Sequence, residues 1–535
     1  NVMNKAFKSI WSDARQSFVT TSEIQCSHGK RSKTSVSLGV AAVLLAAGGL
    51  ASAAYVETGV LGDKASWETA EYNYNWGLGA MNASSAYALG FYGQNTTTGV
   101  MDSGAWLGNP DLDSPRITAT HVTGVYGSTG NRYPQSIYAT IQKGVTPTAG
   151  EGQPFTEGEE FDVKGDYTLG LNDAHGTQVT GVIGAERNGE YGHGVAFKAD
   201  VVVGNTGATD NNNYGPFQDY NYYFKGYKAL ADAVNAGNGE YRGGMVNNSY
   251  GTNTKIYSSG GHRLTPDEMS DLLAGNGSYE RAAAAYSVTF SGDYSFLGLD
   301  DVPGADQYSA NPSAFEWEYM YFKLKYGDKP SFLDGAYDAV KGTNVILSWA
   351  AGNQDRGTPY LKGLYPYFHP EAEKNWLNAV GVMQTRGDND QYMQATYCKA
   401  GLAKWWSMAG PTAYPGIGTT YVTSQLEDGR VTTTGFNGTS ASDPQISGAF
   451  TVLQSRYPSM TALQVKDVMY TTASHIGANG QSFTNWTAAE GTPDVIYGWG
   501  MPDLEKGMYG PGQFLDHFEY RLAEPLDVWS NDITE

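Results

Sequence analysis

The sequence predicts an α/β protein with a mostly parallel central sheet and helices on both faces. Short apolar runs at Gly99–Asp102, Ala199–Val203, Met245–Asn247 and Asn344–Leu347 read as strands. Helical stretches lie between them, among them Tyr227–Asn235 and Phe332–Val340. Strands that alternate with helices in this way build parallel, helix-covered sheets, and such sheets gather reactive groups at the carboxyl ends of their strands.

The elements divide the chain in order. Lys30, Arg31 and Lys33 precede an apolar run from Val36 to Leu50, and Ala51-Ser52-Ala53 follows with the small residues that signal peptidase requires. Residues 1–53 therefore read as a signal peptide. The apolar run is short and holds paired glycines, which argues against a membrane-spanning helix. Residues 54–97 read as an irregular, aromatic and Ala-rich N-terminal lead-in or a short pro-segment. The alternating pattern occupies 98–510 as one domain, and 511–535 reads as a tail. Within the domain, Thr461-Ala462-Leu463-Gln464 is a capping box that starts a helix with Val465, Val468, Met469 and Thr472 on one face. Segments 252–330 and Asp210–Phe224, rich in polar and aromatic residues, read as surface-loop insertions on this scaffold.

Composition narrows the function classes. The 535 residues carry a net charge of −21, and removing residues 1–53 takes away six Lys/Arg and two Asp/Glu, leaving −25. Without a basic footprint, nucleic acid and anionic membrane surfaces are poor partners. Of the two cysteines, Cys26 lies in the leader and Cys398 reads as a small buried residue, so no internal disulfide is expected. The eight histidines show no metal-binding spacing such as His-Glu-x-x-His, and no Walker-type loop is present.

Three short motifs carry chemistry. Thr98-Gly99-Val100-Met101-Asp102-Ser103-Gly104 is a strand that ends on a carboxylate. His175-Gly176-Thr177 opens a helix. Gly438-Thr439-Ser440 opens another, which carries Pro444. Peptide-bond hydrolysis by a serine needs a nucleophile, a base to take its proton, a carboxylate to orient that base, and donors for the oxyanion. Each motif also has a structural reading, as a strand-end turn or a helix cap.

Their conjunction is more specific. Asp102, His175 and Ser440 occur in the order of the subtilases. Ala350-Ala351-Gly352-Asn353 resembles the family's oxyanion segment, and Asn247-Asn248-Ser249-Tyr250-Gly251 resembles the strand that walls its substrate cleft. Gly192-His193-Gly194-Val195-Ala196 and Tyr497-Gly498-Trp499-Gly500-Met501-Pro502-Asp503 resemble two further family segments. The chain thus resembles the subtilases across roughly residues 98–505. The resemblance implies a subtilisin-like three-layer fold, with Ser440 as nucleophile, His175 as general base and Asp102 as its orienting carboxylate. It implies Asn353 as the oxyanion donor, beside the Ser440 N–H. Ser249, Tyr250, Gly251, Ala351 and Gly352 would border the pocket for the side chain before the cleaved bond, and Tyr250 with the small Ala351-Gly352 wall suits a large apolar one. No cofactor is required. Structural calcium is common in the family, although no ligands can be named here.

The stretch from Met3 to Lys30 resembles the extended signal peptide of Gram-negative autotransporters and other type V secretion exoproteins. It implies a monomeric passenger that meets the export machinery of both membranes and acts on polypeptides at the cell surface or outside the cell. The two residues before Met3 suggest a fragment or a displaced start. The short stretch after Pro511 leaves an outer-membrane barrel either cut off or replaced by another release route. One departure from the family pattern stands out. After Ser440 the chain reads Ala441-Ser442-Asp443-Pro444-Gln445, with a carboxylate where the family helix packs in the core. Asp443 is expected to sit at the helix's first turn, where the dipole favours it, with an inward position beside His175 as the alternative. That segment and the aromatic stretch Phe315–Phe322 also support a competing reading, an inactive fold serving as a binding passenger.

Overall fold

The computed structural model describes residues 58–131, 154–166, 175–206, 219–250, 329–353, 357–384, 397–412, 435–476 and 482–510. It also describes short strands at 7–12, 17–22, 392–394, 424–425 and 431–432. Gly251, the insertion 252–328, most of the leader and the tail 511–535 lie outside the described residues.

Three short helices open the domain: α1 (Ala70–Tyr74), α2 (Trp76–Ala80) and α3 (Ala83–Ala88). The scaffold then runs β1 (Thr97–Asp102), β2 (Ile117–Ala119), α4 (His175–Gly184), β3 (Asp200–Asn205), α5 (Tyr220–Asn238) and β4 (Gly244–Asn248). It continues with α6 (Phe332–Val340), β5 (Val345–Ala350), α7 (Leu361–Phe368), β6 (Trp376–Gln384), β7 (Tyr392–Gln394) and β8 (Ser407–Pro411). Helices α8 (Thr439–Arg456), α9 (Ala462–Thr471) and α10 (Leu504–Tyr509) close it.

The sheet runs in the order β7-β6-β5-β4-β1-β3-β2, with β8 also paired to β6. Every pairing in it is parallel except that of β7. The all-buried patterns of β1, β4 and β5 follow from helices on both faces. Alternation along the strands divides two cores. Met245 and Ile346 face the side packed by Ile446, Ala449 and Phe450 of α8. Val246, Val345, Leu347 and Trp349 face Tyr223, Tyr227 and Leu230 of α5 and Phe332 and Leu333 of α6. The result is the three-layer α/β arrangement that the alternating sequence predicts.

Several local expectations meet their structure directly. Helix α6 spans Phe332–Val340, and Ser331 with Asp334 forms a capping box at its start. The Thr461–Gln464 box likewise starts α9, and Val465, Val468 and Met469 are buried. The expected insertion Asp210–Phe224 is shorter than the sequence suggests. Its last residues form the first turn of α5, whose N-cap Asp219 accepts from the Tyr222 N–H. Residues 64–92 are embedded rather than loosely attached. Trp67, Leu78, Met81 and Tyr87 are buried in one core with Val195, Phe197, Phe450 and Leu504.

Candidate active site

Strand β1 delivers Asp102 at its carboxyl end, where the residue is fully buried. Its Oδ1 accepts from the Ser103 N–H at 2.8 Å and lies 2.7 Å from Nδ1 of His175. His175 opens α4, and its place there rests on the glycine that follows. A Cβ on Gly176 would lie 2.0 Å from the Gly104 carbonyl oxygen, so only glycine lets this helix dock against the loop after β1. The Gly176 N–H donates to Ser103 Oγ at 2.8 Å, and Thr177 Oγ1 accepts from the Trp106 N–H at 2.9 Å. All three residues of the His-Gly-Thr motif thus hold the helix start against the strand end. A carboxylate on Nδ1 fixes the tautomer and turns Nε2 into the working end of the ring.

Ser440 is the second residue of α8 and is buried. Gly438, the N-cap, has φ of +84°, a conformation open to glycine, and turns the chain into the helix. The Ser440 hydroxyl donates to the Ser249 carbonyl at 2.6 Å. The structure therefore brings Asp102 and His175 into contact and rests the serine hydroxyl on the backbone just after β4. Phe436, four residues before Ser440, meets the His175 ring edge-on with centroids 5.5 Å apart, so the segment leading to the serine reaches the histidine.

Asn353 follows β5 and is exposed. Its Oδ1 accepts from both the backbone N–H and the hydroxyl of Thr439, at 2.8 and 2.9 Å. Because a backbone N–H can only donate, the acceptor end of the amide must face Thr439, and Nδ2 is left as the donor end. The Thr439 hydroxyl also accepts from the Gly352 N–H at 3.0 Å. In the sequence Thr439 is the middle residue of the Gly-Thr-Ser motif. The structure makes it the clamp on Asn353.

The expected pocket residues divide. Gly352 lies against Thr439 and the Ser249 carbonyl meets Ser440, while Ala351 is fully buried in the core. Gly251 is outside the described residues. Tyr250 corrects its expectation as a pocket wall. The residue is 3% exposed, its hydroxyl is 2.6 Å from that of Tyr227, and its ring meets Trp349 and the Lys362 ammonium within the core. A tyrosine whose hydroxyl finds buried partners can be packed away like a phenylalanine.

Asp443 also departs from expectation. It lies beyond the first turn of α8 and is fully buried, turned toward the strand ends. One carboxyl oxygen meets Ser348 Oγ and the other accepts from the Asn248 N–H at 3.3 Å. Burial pushes its carboxyl up to about 7, with Asp102 adding to the rise and the Ser348 and Asn248 hydrogen bonds opposing it. The carboxyl thus turns inward, and its hydrogen bonds go to Ser348 and Asn248. Cys398 is fully buried, as its sequence reading had it. Among the described residues, no group of three or more acidic, histidine or cysteine side chains is arranged to hold a metal ion.

The model of the subtilase family matches residues 93–500, and the chain belongs to that family. Residues 3–52 match the extended signal peptide of the type V secretion system. An extracellular serine protease of Serratia marcescens is 24% identical over 86% of this chain and 36% of its own length. The Neisserial autotransporter lipoprotein NalP of Neisseria meningitidis is 22% identical over 81% of this chain and 34% of its own. Serotype-specific antigen 1 of Mannheimia haemolytica is 32% identical over 36% of the chain and 19% of its own. The chain thus spans about a third or less of these relatives. Its leader and relatives place it among the secreted or surface proteins of Gram-negative bacteria.

Proposed function

We propose that this chain is a serine endopeptidase, exported as the passenger of an autotransporter, that hydrolyses polypeptides by way of an acyl-enzyme. The observation that carries the reading is the buried Asp102 carboxylate 2.7 Å from His175 Nδ1, on elements that also converge on Ser440. In the reaction, the Ser440 hydroxyl turns from the Ser249 carbonyl toward His175 Nε2, a side-chain rotation that costs little. Its Oγ attacks the scissile carbonyl while His175 takes the proton, and Asp102 stabilises the imidazolium. The oxyanion receives Asn353 Nδ2 and the Ser440 N–H. His175 then returns the proton to the leaving amine, and water releases the acyl group by the same steps.

Residues 58–97 stay with the mature domain in this account, because Trp67 and Tyr87 form part of its core. With Tyr250 and Ala351 buried in the core, the expectation of a large apolar residue before the cleaved bond rests on Gly352 alone. The competing reading, an inactive binding passenger, draws on the segment after Ser440 and on Phe315–Phe322; Asp443 is tied into the scaffold, and Phe315–Phe322 lie outside the described residues. Incubation of the full chain with a quenched peptide library, beside His175→Ala and Ser440→Ala controls, tests the proposal. Cleavage by the parent chain alone is the expected result. Equal cleavage by the Ser440→Ala control would assign the activity to a contaminant and sink the reading.

A further inference from the structure

A second acidic group stands behind the site. Asp443 lies one helical turn after Ser440, on the side of α8 that faces the ends of β4 and β5. Its carboxyl joins three elements: α8 itself, β4 through the Asn248 N–H, and β5 through the Ser348 hydroxyl. The bonded groups continue outward. Asn248 Nδ2 donates to the Ser348 carbonyl at 2.9 Å, and Asn248 Oδ1 accepts from the Tyr227 hydroxyl at 2.7 Å. The Ser249 hydroxyl donates to Asn247 Oδ1, and Asn247 Nδ2 donates to Ser447 Oγ one turn further along α8. The chain leaves Asn248 for Ser249, whose carbonyl holds the Ser440 hydroxyl at 2.6 Å. A fully buried polar network of this kind is rigid when every member is satisfied.

We propose that Asp443 is a positioning residue for the reaction: its buried carboxyl locks the helix that carries Ser440 to the two strand ends that frame the cleft, and couples a second acid to the Asp102–His175 pair. This rests on the peptidase reading given above. The groups that face Asp443 are few. Asp102 on β1 is the ionisable group that acts on it directly, and Tyr227 and Tyr250 meet the same strand end as phenols kept neutral by burial. Beyond Tyr250 lies the Lys362 ammonium, 4.0 Å from that ring's centroid. Ionisation of Asp443 adds a second negative charge that acts on Asp102, and two carboxylates together favour the protonated form of His175. A protonated His175 cannot act as a base, so Asp443 sets where activity begins on the acid side.

Two variants separate position from charge. Asp443→Asn keeps the shape, an acceptor for the Asn248 N–H and a donor for Ser348, but cannot ionise. Asp443→Ala removes these bonds and the Ser249 side-chain contact as well. With the full chain and one peptide substrate, Asp443→Ala is expected to lower kcat on the order of tenfold with a smaller change in KM. Asp443→Asn is expected to recover most of that loss while its kcat/KM profile begins at lower pH. The same variants in a Ser440→Ala background, followed by carbon-13 NMR of labelled histidines, read His175 without turnover. Its titration midpoint should fall in Asp443→Asn. Should Asp443→Ala not fold, Asp443→Asn still tests the coupling. An active parent whose His175 midpoint and acid limb are unmoved by Asp443→Asn would overturn the inference. An inert parent whose midpoint still moves would sink the peptidase reading and leave the coupling standing.

Discussion

Replacing Thr439 by valine removes one hydroxyl and keeps the volume, and the structure fixes what that hydroxyl does. It supplies one of the two hydrogen bonds on Asn353 Oδ1, the other coming from the Thr439 backbone N–H, which valine retains. It is also the acceptor for the Gly352 N–H. Losing an oxyanion donor outright costs on the order of a hundredfold in kcat, or about 2.7 kcal/mol of transition-state stabilisation. If the two bonds share the orientation of the Asn353 amide equally, valine forfeits about half of that, near tenfold in rate. Leaving the Gly352 N–H without its partner should cost a further ~1–3 kcal/mol of folding stability. The assay is kcat and KM on one chromogenic peptide for the parent, Thr439→Val, Asn353→Ala and the double variant, with a thermal melt of each. Asn353→Ala should lose a hundredfold or more in kcat. The valine should then have almost no further effect on kcat in that background, because it acts through the amide already removed. A full, additive tenfold loss in the double variant would refute the clamp and make Thr439 a structural residue only.

Two other outcomes follow from burial. His193 is buried among Tyr72, Tyr87 and Phe197, and burial lowers its imidazole from 6.5 to about 3. Above 6.5 the ring is neutral in both folded and unfolded chains and pH has no hold on it. Below 6.5 the unfolded chain takes a proton that the folded one refuses, so stability falls by up to about 1.4 kcal/mol per pH unit down to about 3. Urea midpoints measured between pH 7 and 4 should drop less steeply for His193→Phe than for the parent, and parallel curves would show that His193 does not titrate between the states. Tyr87→Ala should destabilise the domain by ~3–5 kcal/mol, because the ring is fully buried against Phe197 and its hydroxyl donates to the Val195 carbonyl at 2.6 Å. The N-terminus of the exported protein should accordingly lie before Trp67, and a mature chain starting after Tyr92 would contradict the place given to this segment.

Much of the scaffold was legible because its signals are local. A strand that ends on Asp102, a helix that opens at His175 and a capping box at Thr461 each need only a few neighbouring residues to declare themselves. What escaped depends on partners far away in sequence. Tyr250 reads as a pocket residue until Tyr227 and Trp349 are seen to enclose it. Asp443 reads as a residue for a helix terminus until Ser348 and Asn248, about a hundred and two hundred residues earlier, are found to hold it inside. The start of α5 was missed for a simpler reason. Its first turn is a run of Tyr, Asn and Phe without helical periodicity, and Asp219 marks it only by capping. Phe436 gave no signal at all, since nothing in Gly435-Phe436-Asn437 points to a histidine more than two hundred and fifty residues away.

The central claim is that Ser440 is activated by His175 and Asp102. Labelling of the folded chain with a fluorophosphonate, followed by mass spectrometry of the modified peptide, tests it most directly. The account predicts one adduct, on Ser440, that disappears in Ser440→Ala and is strongly slowed in His175→Ala. A folded chain that takes up no label, or takes it up at a rate indifferent to His175, would contradict it.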